Sequence, residues 1–126
     1  MPLDVLLVDD DAVQAATRRA ILNQAGHSVA IAADGQEALK FLDSADGSSV
    51  CMVVTDHLMP SMNGVEFVSR LRKAGNLLPV LVLSGYADVE REYESLDVFF
   101  RVKPFPPDQL VALVRFLLTA AERRTA

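Results

Sequence analysis

Five short apolar runs divide the sequence, and longer segments with helical periodicity or turn residues lie between them. Continuous apolar runs of this length are typical of strands that are buried on both faces of a sheet. The predicted strands are Leu3–Val8, Ser28–Ala33, Val50–Thr55, Pro79–Leu83 and Val98–Val102. Because helical segments separate the runs, the pattern predicts an α/β domain with a parallel sheet that is covered by helices on both sides.

The segments between the runs carry helix start and stop signals. Asp11 with Gln14, and Asp34 with Glu37, have the spacing of a capping box, and Gly26 is expected to end the first helix. The predicted helices are Ala12–Ala25, a short helix from Asp34 to about Leu42, Val65–Ala74, a short acidic helix Ala87–Ser95 and Asp108–Arg123. The polar stretch Asp43–Ser49 is predicted to be a loop.

Composition restricts the class of protein. The 126 residues predict one domain, spanning 1–126, and an apolar fraction of 51% with 23% charged residues is typical of a folded globular chain. No apolar run approaches the roughly 20 residues of a membrane span. The net charge of −5 argues against nucleic acid as a partner. A single cysteine and an acidic N-terminus without a signal peptide pattern favour a cytoplasmic protein.

Polar residues stand where four of the apolar runs end. They are Asp9 and Asp10, Asp56, Ser84 and Lys103. Because the carboxyl ends of parallel strands meet at one edge of the sheet, these side chains are expected to converge on one site. Three carboxylates suit Mg²⁺, whereas a hydroxyl and an ammonium suit a phosphoryl group. A carboxylate can also act as a nucleophile and form an aspartyl-phosphate.

Four motifs together resemble the receiver domain of bacterial two-component response regulators, over essentially the whole chain. They are LLVDDD (Leu6–Asp11), VVTDHLMPSMNG (Val53–Gly64), VLVLSG (Val80–Gly85) and VKPF (Val102–Phe105). The resemblance implies a flavodoxin-like, doubly wound sheet of five parallel strands with five helices. It also implies Mg²⁺ as cofactor and a sensor histidine kinase or a histidine phosphotransfer protein as phosphoryl donor. A downstream protein partner or effector, and a phosphorylation-dependent dimer, belong to the same expectation.

The resemblance assigns a role to each matching residue. It implies that Asp56 is the phospho-acceptor and that Asp10 binds the metal directly, with Asp9 assisting and the backbone carbonyl of Leu58 completing the site. Ser84 corresponds to the switch hydroxyl and Lys103 to the lysine that contacts the phosphoryl group. Asp11, which adjoins the acidic pair, is assigned to helix capping.

Departures from the family pattern lead to further expectations. Phe100 stands at the position of the switch aromatic, where two interpretations stay open: it repacks inward after phosphorylation, or it is a core residue like Phe99 and Phe105. The chain between Ser84 and Lys103 is short for the family, so the fourth helix is predicted to be short or irregular. Leu58 and Tyr86 are bulky and are predicted to slow hydrolysis of the phosphoryl group. His57 is predicted to be a solvent-facing loop residue.

Two other functions are compatible with parts of this pattern. A phosphorylation-independent interaction module on the same fold is expected to lose its acidic pair, acceptor or lysine, yet all of them are present. A Mg²⁺-dependent phosphohydrolase would use two carboxylates at the spacing of Asp9 and Asp11, but 126 residues leave no room for its cap domain. The sequence does not distinguish a free-standing receiver from a part of a larger regulator.

Overall fold

A computed structural model gives the architecture of residues 3–125, with side chains described as far as residue 120. Its sheet has five strands in the order β2-β1-β3-β4-β5, and each neighbouring pair is parallel. The strands are β1 Val5–Val8, β2 Val29–Ala32, β3 Met52–Asp56, β4 Val80–Ser84 and β5 Phe99–Val102. The predicted flavodoxin-like parallel sheet is therefore confirmed. Met1, Pro2 and Ala126, at the ends of the predicted domain, lie outside the described residues.

Helical segments connect the strands at the predicted places. They are α1 Ala12–Gln24, α2 Gly35–Leu42, α3 Gly64–Lys73, the 3₁₀ segment Ala87–Tyr93 and α4 Pro107–Thr125. The short, irregular fourth helix that the sequence predicted is thus confirmed as a 3₁₀ helix. The polar loop before β3 contains a second 3₁₀ turn, Asp46–Ser49, which was not predicted. None of the described helices combines the length and apolar character needed to cross a membrane.

The ends of α1 show why this helix begins and stops where it does. A carboxylate oxygen of Asp11 accepts hydrogen bonds from the backbone N–H groups of Val13 and Gln14, both at 3.0 Å, which confirms the predicted cap. Gly26 ends the helix with φ of 99°, and the next N–H, of His27, returns 3.0 Å to the carbonyl of Leu22. Glycine adopts this left-handed conformation without the penalty of a Cβ.

Apolar residues fill both faces of the sheet, as expected for a doubly wound fold. One buried cluster joins β1 and β3 to α2, α3 and the 3₁₀ segment, and it includes Leu6, Val53 and Phe67. The other joins the opposite side of the same strands to α1 and α4, and it includes Leu7 and Val54. The side-chain period of two in a strand explains why neighbours in sequence enter different clusters.

One arginine holds the loops that flank β5 and β4. The guanidinium of Arg72, in the last turn of α3, donates through Nε to the carbonyl of Leu96 at 2.9 Å and through Nη2 to that of Asp97 at 2.9 Å. Its Nη1 donates to the carbonyls of Asn76 at 3.1 Å and Leu78 at 2.8 Å. Four loop carbonyls that α3 and the sheet leave unpaired are thereby satisfied by one side chain.

The register of the sheet determines where the polar residues converge. Val8 lies opposite Thr55, and Asp56 lies opposite Leu83, so Asp9 and Asp56 leave adjacent strands at the same level. Ser84 lies opposite Val102, the residue before the predicted lysine. All of the predicted site residues that end a strand are therefore at one edge of the sheet, where ligands bind in open α/β folds.

Candidate functional site

Three carboxylates form the centre of this edge. Carboxylate oxygens of Asp9, Asp10 and Asp56 all lie within 4.8 Å of one another, with Asp9 and Asp56 buried and Asp10 exposed. Burial raises the pKa of Asp9 from 3.8 to about 6, and the hydrogen-bonded carboxyl of Asp56 adds to this rise. Hard oxygen ligands at this separation, two of them withdrawn from water, fit a divalent cation such as Mg²⁺.

Two basic side chains reach the same oxygen of Asp56. The ammonium of Lys103, which the resemblance predicts to contact the phosphoryl group, lies 2.9 Å from Asp56 Oδ1. Nη1 of Arg18 lies 3.0 Å from the same oxygen and 3.2 Å from Oδ2 of Asp9. Arg18 was not among the predicted site residues. The Asp56 carboxylate is therefore paired with two cations, one directly after β5 and one from α1.

A second residue of α1 also enters the acidic cluster. Nε2 of Gln14 donates to Asp9 Oδ2 at 2.9 Å and to Asp56 Oδ2 at 3.2 Å. The spacing from Asp11 predicts a capping box with Gln14, which is wrong for the Gln14 side chain, because its amide turns toward the carboxylates instead. Gln14 and Arg18 are four residues apart and so share one face of α1. The sequence carried a signal for both residues. They are long polar side chains four positions apart, on the helix that directly follows the acidic pair.

Ser84 and Lys103 are brought together by the backbone. The N–H of Lys103 donates to the carbonyl of Ser84 at 2.7 Å, which fixes the end of β5 against the end of β4. The buried hydroxyl of Ser84 accepts from the N–H of Tyr86 at 3.0 Å and donates to the carbonyl of the same residue at 3.1 Å. The hydroxyl therefore holds the turn that leads into the 3₁₀ segment.

The remaining predicted residues divide into buried and exposed side chains. Phe100 is only 7% exposed and its ring centre lies 5.8 Å from that of Tyr93, so the ring that was expected to move inward already lies inside. Leu58 and Tyr86 are exposed by 61% and 56%. Each follows a site residue closely in sequence, and their predicted effect on hydrolysis stays a prediction.

The prediction that His57 faces solvent is wrong. The side chain is buried, and its Nδ1 lies 2.6 Å from the hydroxyl of Tyr93, with the two rings edge to face. The backbone is still extended here, since the N–H of His57 donates to the carbonyl of Leu83. Adjacent side chains then point in opposite directions. Because both faces of the sheet are covered, the direction away from Asp56 also leads into the core.

Comparison with known proteins places this geometry in a family. Residues 5–115 match the family described as "Response regulator receiver domain". Response regulator MprA of Mycolicibacterium vanbaalenii is 37% identical over 121 residues, which are 94% of this chain and 51% of that protein. Transcriptional regulatory protein FixJ of Bradyrhizobium diazoefficiens is 32% identical over 121 residues, 94% of this chain and 58% of that protein. The chain thus spans about half the length of these relatives.

A solved structure supports the same assignment. The receiver domain of the Francisella response regulator 1452 superposes with a TM-score of 0.85 at 27% identity, over 94% of this chain and 98% of that one. Receiver domains are signalling modules of two-component systems, and members of the family bind Mg²⁺ at an acidic pocket. From its sequence motifs, its sheet and its acidic edge, the chain belongs to the response regulator receiver domain family.

Proposed function

We propose that Asp56 accepts a phosphoryl group from the phosphohistidine of a sensor kinase or a histidine phosphotransfer protein. The observation that supports this most directly is the surroundings of the Asp56 carboxylate. It is buried at the end of β3, within 4.8 Å of two other carboxylates, and its Oδ1 lies 2.9 Å from the ammonium of Lys103. A carboxylate in such a site can act as a nucleophile while the adjacent charges stabilise a transferring phosphoryl group.

The transfer exchanges one bond for another. A carboxylate oxygen of Asp56 attacks phosphorus, the phosphorus–nitrogen bond to the donor histidine breaks, and its electron pair returns to the imidazole nitrogen. The ammonium of Lys103 is placed to pair with a phosphoryl oxygen. Asp9, Asp10, Asp56 and the backbone carbonyl of Leu58 are the groups that would hold Mg²⁺. When bound, this cation neutralises charge on the carboxylates and on the phosphoryl group.

The response to phosphorylation begins at Ser84. A phosphoryl group adds about −1.5 to −2 charges at neutral pH and several strong acceptor oxygens. A Ser84 hydroxyl that donates to one of these oxygens must release the carbonyl of Tyr86, which it holds at 3.1 Å. The turn into the 3₁₀ segment then loses one of its constraints. This segment is therefore the part of the chain expected to respond first, with Phe100 behind it.

The partners follow from the same chemistry. The donor is a phosphorylated histidine protein, and the recipient of the signal is a downstream protein or effector domain or a second copy of the phosphorylated chain. Residues 1–126 form the receiver unit. No nucleic acid contact is assigned to it, in keeping with the net charge of −5.

Labelling by a small phosphodonor tests the acceptor. We expect incubation with phosphoramidate and Mg²⁺ to add one phosphoryl group, detected by intact-mass spectrometry, and removal of Mg²⁺ by a chelator to prevent it. Asp56→Asn should abolish labelling, whereas the control Asp43→Asn, at an exposed position that ends α2, should be labelled like the wild type. Equal labelling of Asp56→Asn would refute the assignment.

The same preparation separates the other candidate functions. Steady, rapid turnover of p-nitrophenyl phosphate would identify a phosphohydrolase, because a receiver keeps the phosphoryl group on its own carboxylate and turns over only as fast as that acyl phosphate hydrolyses. A folded protein that is not labelled would be an interaction module. The decay of the labelled protein also tests the slow-hydrolysis hypothesis, which fails if Leu58→Asn and Tyr86→Ala lose the phosphoryl group at the wild-type rate.

A further inference from the structure

The guanidinium of Arg18 occupies the position of a bridging cation between the two buried carboxylates. Its Nη1 lies 3.0 Å from Asp56 Oδ1 and 3.2 Å from Asp9 Oδ2, and its side chain is only 13% exposed. Gln14, one turn earlier on α1, bridges the same two carboxylates through Nε2. The side chain of Arg18 thus neutralises part of the charge for which the site would otherwise require a divalent cation.

We propose that Arg18 is a resident counter-cation that competes with Mg²⁺ for Asp9 and Asp56 and so lowers the affinity of the site for the metal. The inference rests on the metal site that is part of the proposed function. Mg²⁺ requires carboxylate oxygens at about 2.0–2.1 Å in octahedral geometry. The oxygens that Arg18 bridges belong to the carboxylates that would supply them. A guanidinium and a divalent cation on the same pair of carboxylates also repel each other.

The structure provides a place for the displaced side chain. A cavity of about 550 Å³ lies beside the site between α1 and the loop after β5. Arg18 and Gln14 form part of its wall, together with Lys103 and the apolar Phe105. The guanidinium can therefore leave the carboxylates by a rotation of its own side chain, with its aliphatic part against the apolar wall. Neither the sheet nor α1 has to move.

Lys103 explains why the competition is confined to Arg18. Among the residues that the structure describes, the ammonium pairs with Asp56 Oδ1 alone, whereas Arg18 joins Asp56 to Asp9. Withdrawal of Arg18 consequently leaves Asp56 paired with Lys103 and leaves Asp9 bonded to the neutral amide of Gln14, so the charge of Asp9 becomes available to the incoming metal. Arg18 is in this sense a positioning residue, because it sets how readily the site becomes competent for phosphoryl transfer.

Mg²⁺ titration of matched variants tests the proposal. Arg18→Met keeps the aliphatic stem and removes the charge, and Arg19→Met, at the exposed neighbouring position, changes the net charge by the same amount. By isothermal titration calorimetry at one neutral pH, we expect Arg18→Met to bind Mg²⁺ about tenfold more tightly than the wild type, equivalent to about 1.4 kcal/mol. Arg19→Met should bind like the wild type. Arg18→Lys retains a cation and should restore weak binding.

The outcomes distinguish this inference from the function on which it rests. If folded Arg18→Met binds Mg²⁺ no more tightly than Arg19→Met, or if Arg18→Lys binds as tightly as Arg18→Met, competition by charge is refuted while the metal site stands. If neither the wild type nor any variant binds Mg²⁺ and Asp56 is not labelled by phosphoramidate, the proposed function fails, and this inference fails with it. Circular dichroism shows whether each variant is folded.

Discussion

The buried hydrogen bond between His57 and Tyr93 allows a quantitative prediction about stability. It joins the residue after Asp56, the proposed acceptor, to the 3₁₀ segment, with Nδ1 and the hydroxyl 2.6 Å apart and both side chains buried. Burial raises the pKa of Tyr93, so the phenol stays protonated over the whole physiological range. Tyr93→Phe removes only the hydroxyl and retains the ring that packs against Phe100.

The expected cost follows from the partner that is left behind. An unpaired buried polar nitrogen costs about 1–3 kcal/mol, so Tyr93→Phe should lower the free energy of unfolding by about 2 kcal/mol. With a urea m-value of about 2 kcal/mol/M, this corresponds to a fall of about 1 M in the unfolding midpoint. The measurement is urea unfolding followed by far-UV circular dichroism, which does not depend on the fluorescence of the replaced tyrosine.

The second tyrosine of the chain is the control. Tyr86 is 56% exposed, and Tyr86→Phe should change the free energy of unfolding by less than about 0.5 kcal/mol. If Tyr93→Phe is no less stable than Tyr86→Phe, the hydrogen bond does not stabilise the fold and the reasoning is refuted. A changed m-value would instead show that the variant alters the native or the unfolded ensemble.

Three further results are expected from urea unfolding. Arg72→Met should lower the free energy of unfolding by about 2–4 kcal/mol because four carbonyls lose their donor. Arg70→Met breaks only an exposed ion pair and should lower it by less than about 1 kcal/mol. Equal losses in the two variants would contradict this. Gly64→Ala should lower the free energy of unfolding by about 1–3 kcal/mol, since a Cβ there collides with the buried hydroxyl of Tyr93. Gly85→Ala adds its Cβ in open space and should leave the stability nearly unchanged. A Gly64→Ala variant as stable as the wild type would count against the packing described. Because the pKa of Asp9 is about 6 in the folded state and 3.8 unfolded, the native state binds more protons between these values, so stability should fall as pH rises from about 4 to about 6. Asp9→Asn should flatten this part of the profile, and an unchanged slope would assign it to other groups.

The sequence predicted the fold and the outline of the site for a physical reason. Asp56 and Ser84 end β3 and β4, and Lys103 directly follows β5, while the topology of a parallel sheet places the carboxyl ends of all strands at one edge. The conclusion needed only the order of elements, not the direction of any side chain. The same holds for the irregular helix between β4 and β5, because the short length of that connection was visible in the sequence.

What the sequence did not reveal depends on side-chain direction and on distant contacts. Arg18 reaches the site only because α1 turns that face toward the sheet edge, and the guanidinium spans the remaining distance. The hydrogen-bond partner of His57 is Tyr93, 36 positions away, so no local sequence pattern could predict the pair. Gln14 had two plausible partners, the helix cap and the carboxylates. The N–H of Asp11 already donates to Oδ1 of Asp9 at 2.9 Å, so the amide of Gln14 turns to the charged oxygens instead.

The hydrogen bonds from Arg72 to backbone carbonyls have a consequence for substitutions in the two loops that they hold. Because Arg72 binds main-chain oxygens of Asn76, Leu78, Leu96 and Asp97, its bonds do not depend on which side chains those positions carry. Only an arginine presents five donors in one rigid plane, so a lysine could not reproduce the pattern. A replaced side chain in either loop therefore leaves these four bonds in place, whereas a replacement of Arg72 removes all of them at once, so the attachment of both loops depends on one residue of α3.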